Sequence, residues 1–235
     1  MLNEFKGRVI NIMELIDLIR SRHSVRKYQD KPIEKEKRDT FNNYIENKLC
    51  RAKGTPRIVA CFDEPKAFEN PDVHYGWFVN AKNYFVLIGK KNNELDEITL
   101  GFEGEKLVLK AQEIGLNTCW VALTFEREIV PVKLNEDEQI YSVISVGYGF
   151  KNGRERPSKT AQDVIACDTT NKPEWFDLAV EACLLAPTAK NLQRFKIVND
   201  CGRYQVAESQ QGEYSKIDLG IVKCHFELIE GRTTL

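Results

Sequence analysis

Ser21-Arg22-His23-Ser24-Val25-Arg26-Lys27-Tyr28 is the stretch on which the reading of this chain turns. It follows a short apolar helix and crowds Arg20, Arg22, Arg26 and Lys27 together, with no acid before Asp30. Like charges that close repel, so such a cluster marks either a solvated surface or a place for an anion. If the chain runs extended past the helix, Arg22, Ser24 and Arg26 fall on one side, because side chains alternate with period two. Four extended residues span roughly 13 Å. Guanidinium and hydroxyl donors spread over that length could grip a phosphate at one end and a polar ring edge at the other. Arg suits the task, since its planar fork binds phosphate oxygens bidentately and keeps its charge. A solvated basic turn is the competing reading of these residues alone.

At 235 residues the chain is long enough for one large domain or two small ones. A net charge of −1 argues against bulk electrostatic binding to nucleic acid or an anionic membrane and leaves only local patches. No apolar run reaches the ~20 residues of a membrane helix; Tyr84–Ile88 and Tyr141–Val146 are strand-length. Met1-Leu2-Asn3-Glu4-Phe5-Lys6 has no signal-peptide core. Seven cysteines, odd in number and without CxxC pairing, read as reduced thiols in a cytoplasm. His23, His74 and His225 lie far apart, so no metal site is expected.

Taken in order, residues 1–12 read as an arm, and Leu15, Leu18 and Ile19 form one helical face after Met13. Pro32 closes the basic loop. Residues 34–49 read as a charged helix with Phe41, Tyr44 and Ile45 inward, followed by a turn at Lys53-Gly54-Thr55-Pro56 and a strand at 57–62. A loop over 63–80, a strand at 84–88 and a solvated stretch at 90–97 come next. The pattern then predicts a helix at 101–114 stopped by Gly115, strands at 117–122 and 140–147, and a basic turn at 149–157. A helix at 174–185, a loop at 186–193, a strand at 195–198 and a last helix at 217–229 complete the chain. Residues 41–62 and 176–198 both run helix, short loop, strand. An internal duplication follows, with halves at 13–160 and 161–235, one chain imitating a two-fold pair.

Three motifs bracket nearly the whole chain: Ser21-Arg22-His23-Ser24-Val25-Arg26, Gly115-Leu116-Asn117-Thr118-Cys119-Trp120, and Pro187-Thr188-Ala189-Lys190-Asn191-Leu192-Gln193. Together they resemble the FMN-dependent nitroreductase family, whose marks are S-R-R/H-S-V/T-R/K, G-L-G/N-S/T-C-W and P-S/T-x-x-N-x-Q-P-W. The order departs from the usual family, where the Pro-to-Gln loop follows soon after the first motif; here that early position holds Ala52-Lys53-Gly54-Thr55-Pro56. The chain thus resembles a single-chain, tandem-fused branch in which two related halves build the pseudo-dimer within a monomer. The fold implied is α+β and nitroreductase-like, with antiparallel-centred sheets flanked by helices.

The resemblance implies the roles. Arg22 and Ser24 would hold the FMN phosphate, with His23 giving backbone contacts and Arg26 approaching the pyrimidine edge of the ring. Arg156 and Lys159 would add cations to the phosphate. Pro187, Thr188, Ala189 and Asn191 would close over the cofactor, with Gln193 supporting the loop. Backbone N–H groups of Val121 and Ala122 would face O4 and N5. The implied activity is passage of hydride from NAD(P)H to nitroaromatic, quinone or flavin acceptors by a ping-pong mechanism, with no side chain acting as nucleophile or acid. The alternative is a flavin-binding or storage protein without turnover. The usual Q-P-W reads Gln193-Arg194-Phe195 here.

Several residues carry blander readings. Cys119 and Trp120 read as core packing, as do Tyr75, Trp77 and Phe78, although the last three could line a pocket. Lys190 and Arg194 read as solvated loop residues. Gly147-Tyr148-Gly149 followed by Gly153 has the wrong spacing for a dinucleotide loop.

Overall fold

The computed structural model describes residues 2–5, 8–48 and 56–235, so the expected turn at Lys53-Gly54-Thr55 and the end of the helix at Leu49 lie outside the described residues. The expected arm contains a short antiparallel hairpin, β1 (Leu2–Phe5) and β2 (Arg8–Asn11). Asn11 then caps helix α1 (Ile12–Ser21), its side chain accepting from Glu14 N. Helix α2 (Lys35–Lys48) buries Phe41 and Ile45, as the spacing predicts.

Strands β3 (Arg57–Cys61), β4 (Tyr84–Lys90), β5 (Asn117–Val121) and β6 (Glu138–Gly147) form one antiparallel sheet in the order β3-β4-β6-β5. Between β3 and β4 the chain makes a 3-10 turn at Lys66–Phe68 and the short helix α3 (Pro71–His74). Strand β4 is buried on both faces: Phe85 and Leu87 join one apolar cluster, Tyr84, Val86 and Ile88 the other. That is why its sequence is continuously apolar rather than alternating.

Helix α4 (Glu94–Glu113) starts seven residues before the expected 101. Asn93 caps it by accepting from Leu95 N and Asp96 N, and Glu94, Asp96 and Glu97 suit the positive end of the helix. Asp96, expected in a solvated stretch, is buried and accepts from Lys90 N at 2.8 Å.

The remainder runs α5 (Ala161–Val164), α6 (Phe176–Leu185), β7 (Phe195–Asp200), β8 (Arg203–Glu208) and α7 (Ser215–Glu230). Strand β8 was not legible from the apolar pattern. Its signal is the pair Cys201 and Gly202, both at positive φ, which closes a two-residue hairpin between β7 and β8. Apart from the 3-10 turn and α3 between β3 and β4, the order α6-β7-β8-α7 parallels α2-β3-β4-α4, each with an antiparallel strand pair between two longer helices. Helices α4 and α7 pack along each other, and the core surrounds them with α1, α2, α6 and one face of the sheet. Among the described residues no helix is long and apolar enough to cross a membrane.

Candidate active site

One large cavity of about 1440 Å³ lies where the segment after α1, the end of β5, the chain after β6, the end of α6 and the start of α7 converge. Single-ligand pockets run to about 1,000 Å³, so the space suits more than one molecule. Of the expected site residues, Arg22, His23, Ser24, Arg26, Val121, Ala122, Arg156, Pro187, Thr188, Ala189 and Asn191 all line it.

The segment after α1 is extended, as its alternation suggests. Val25 N donates to Thr118 O at 2.9 Å, laying the segment beside β5, and Tyr28 N donates to Val79 O at 2.9 Å. His23, Val25 and Lys27 line the cavity as well as Arg22, Ser24 and Arg26, although Val25 also belongs to an apolar cluster.

Arg22 is the buried member, 5% exposed. Its Nη2 donates to Leu185 O at 3.4 Å, while Nε has no partner among the described residues. Arg156 Nη2 donates to Ala186 O at 2.5 Å and Leu184 O at 3.3 Å. Both guanidinia are thus drawn to the carbonyls at the C-terminal end of α6, the negative end of the helix. Burial lowers the pKa of Arg22; burial and then the charge of Arg22 bring that of Arg156 down to about 10. Burial and the charge of Arg22 also hold His23 below its usual range. Glu105 acts on both guanidinia from within the core, and a phosphate in the cavity would add negative charge to two groups this desolvated.

The loop after α6 faces them. Lys190, Asn191 and Gln193 all have positive φ, so the loop is strained and needs holding. Asn191 Nδ2 donates to Pro157 O at 2.6 Å, and its buried Oδ1 has no partner among the described residues. The buried Gln193 amide donates to Leu184 O and Ser158 Oγ and accepts from Lys159 N. Asp218, at the start of α7, accepts Ala189 N with both oxygens, at 2.8 and 3.0 Å. Sequence reasoning missed this carboxylate, because nothing in its local pattern marks the contact.

Two expected residues are not brought to the cavity wall. Lys159 donates through Nζ to Gln193 O at 2.8 Å instead of facing the arginines, and Gln193 is spent inside the loop. Lys159 follows β6, and its ammonium meets the loop carbonyl there.

Trp120 packs against the core as expected, yet it also forms part of the wall. Gly104 leaves room for its ring, and its Nε1 donates to the fully buried Glu105 at 2.8 Å. The other Glu105 oxygen lies 2.9 Å from His225 Nε2, and His225 Nδ1 lies 2.8 Å from Ala182 O. Tyr75 and Trp77 correct the core expectation: they are 72% and 53% exposed and stand at the cavity mouth, because Tyr75 and Gly76 at positive φ turn the chain outward after α3. The Arg26 guanidinium lies 5.9 Å from the Trp77 ring. Phe78 alone of the three is buried. Lys190 is exposed but lines the cavity, whereas Arg194 packs against Gly212. Among the described residues no cluster of His, Cys, Asp or Glu could hold a metal ion, and the six described cysteines are unpaired.

This architecture, an antiparallel sheet wrapped by helices, is that of the nitroreductases. The family model described as "Putative TM nitroreductase" matches residues 14–230, so the chain belongs to the nitroreductase family, a family of oxidoreductases. Among solved structures it is similar to a nitroreductase candidate from Thermotoga maritima, with 21% identity, coverage of 95% of this chain and 86% of that one, and a TM-score of 0.67. It is also similar to the hypothetical oxidoreductase YcnD of Bacillus subtilis, with 14% identity, 69% and 75% coverage and a TM-score of 0.52. At these identities the likeness speaks for the fold. No curated protein sequence matches the chain.

Proposed function

We propose that the cavity holds FMN and that the protein passes hydride from NAD(P)H to nitroaromatic, quinone or flavin acceptors. The observation that carries this reading is the pair of desolvated guanidinia, Arg22 and Arg156, sharing a cavity wall with unpartnered polar atoms of Arg22 and Asn191. Buried polar atoms are rarely left unpaired, and a phosphorylated, planar, polar-edged ligand fits both demands.

In this reading Arg22 and Arg156 bind the phosphate, helped by Ser24, and Arg26 holds positive charge by the pyrimidine edge. Backbone N–H groups at Val121 and Ala122 face the other ring edge. The loop 187–191 covers the cofactor and excludes water, held by Asp218 and by Gln193 with Lys159. FMN, when bound, supplies a ring nitrogen that accepts and returns hydride. Tyr75 and Trp77 offer flat surfaces at the mouth for a planar donor or acceptor. The two helix-strand-strand-helix runs support a fused pseudo-dimer.

Purified protein should be yellow or take up FMN, and NADH or NADPH should bleach it under nitrogen. Protein that cannot be loaded with FMN would end the reading. Loaded protein that neither nucleotide bleaches would point to flavin storage instead.

A further inference from the structure

Five buried side-chain atoms lack a partner among the described residues, and three of them belong to residues that line the cavity: Arg22 Nε, Asn191 Oδ1 and Ser142 Oγ. The first two belong to the motifs already discussed. Ser142 belongs to none of them.

Ser142 is on β6 and 2% exposed. Three residues further on, the Ser145 hydroxyl has partners, 2.8 Å from the Tyr28 hydroxyl and 3.4 Å from Cys119 O. Ser142 has no such neighbour; it shares the wall with Trp120, Ile217 and Ile221. Its position is set by the ladder. Val121 pairs with Val143, so Ala122 and Ser142 come next on either side as the chain leaves β5. Arg127 braces that corner, its Nη2 donating to Ala122 O at 2.9 Å and its Nη1 to Ile140 O. A hydroxyl that can both donate and accept is therefore held rigidly in an apolar wall beside the Ala122 backbone.

We propose that Ser142 Oγ is a direct hydrogen-bonding contact for the polar ring edge of the bound cofactor, working beside the Ala122 N–H. This rests on the flavin reading above. Ser142 is a binding residue in it, not a proton carrier. The hydroxyl has no partner among the described residues, so its removal spares the empty protein and penalises the loaded one.

The test is FMN titration, by quenching of flavin fluorescence, together with thermal melting of the FMN-free protein, for wild type, Ser142→Ala and Ser142→Cys. The expected result is about tenfold weaker FMN binding in Ser142→Ala (~1.4 kcal/mol), an intermediate loss in Ser142→Cys, and FMN-free melting no lower than wild type. Ser142→Ala binding FMN as tightly as wild type would overturn the proposal alone. Weaker binding matched by a lower FMN-free melting temperature would trace the effect to the fold and also overturn it. Wild-type protein that takes up no FMN would overturn the flavin reading and this proposal together.

Discussion

Gly101 and Gly220 occupy equivalent places at the crossing of α4 and α7. A Cβ on Gly101 would lie 2.2 Å from Ile217 O, and one on Gly220 would lie 2.1 Å from Ile98 O. Each glycine thus faces the carbonyl three residues before the other, the reciprocity an isologous two-fold contact produces. Gly→Ala inside a helix normally gains up to about 1 kcal/mol. Here Gly101→Ala and Gly220→Ala should each lose about 1–3 kcal/mol in urea unfolding, because backbone must move. Unchanged stability would contradict the close crossing.

Burial raises the Asp218 carboxyl from 3.8 to about 7, against the opposing pull of the Ala189 N–H and the charge of Arg194. The folded state therefore holds a proton that the unfolded chain releases near pH 4. The associated stability is complete at low pH and is lost as pH rises through about 7. Asp218→Asn keeps an acceptor for Ala189 N–H and removes the titration. Its stability relative to wild type should rise between pH 5 and pH 8 by on the order of 2–4 kcal/mol. A pH-independent difference would refute the assignment.

The Trp120–Glu105–His225 chain ties the cavity wall to α4 and α7. His225→Leu should cost about 2–5 kcal/mol, since it leaves a fully buried Glu105 oxygen and Ala182 O without their partner. Trp120→Phe should cost about 1–3 kcal/mol for one lost donor. Chemical denaturation with two-state analysis measures both, and the order of the two losses is the checkable point.

Gln193→Ala should loosen the loop over the cavity and cost about 1–3 kcal/mol, because its amide satisfies Leu184 O, Ser158 and Lys159 at once. Lys190→Ala, at an exposed position, should fall within about 0.5 kcal/mol of wild type. Faster hydrogen exchange at the amides of residues 189–193 in the Gln193 variant alone would confirm the division.

Much of the cavity was legible from residues whose chemistry has no other use: clustered guanidinia in Arg22 and Arg26, and an amide in a proline loop at Asn191. The apolar pattern placed most strands to within a residue or two. What it could not show were contacts made only in three dimensions. Asp218 sits on an ordinary amphipathic helix, and its link to Ala189 joins residues 29 apart in sequence. Ser142 looks like any small residue in a buried strand. Lys159 misled because a cation near the expected phosphate position found a carbonyl first. The start of α4 was missed for a plainer reason: Asn93 followed by acids is a cap signal, but charge made the stretch read as solvated.

We propose that Arg22 near the start and Asn191 near the end of the chain clasp one phosphorylated ring compound. Titrating wild type, Arg22→Ala and Asn191→Ala with FMN and with riboflavin, which lacks only the phosphate, tests it most directly. Wild type should prefer FMN at least tenfold, Arg22→Ala should lose that preference, and Asn191→Ala should weaken both ligands while keeping it. Arg22→Ala that still prefers FMN as strongly as wild type, or Asn191→Ala that binds both as wild type does, would contradict the account.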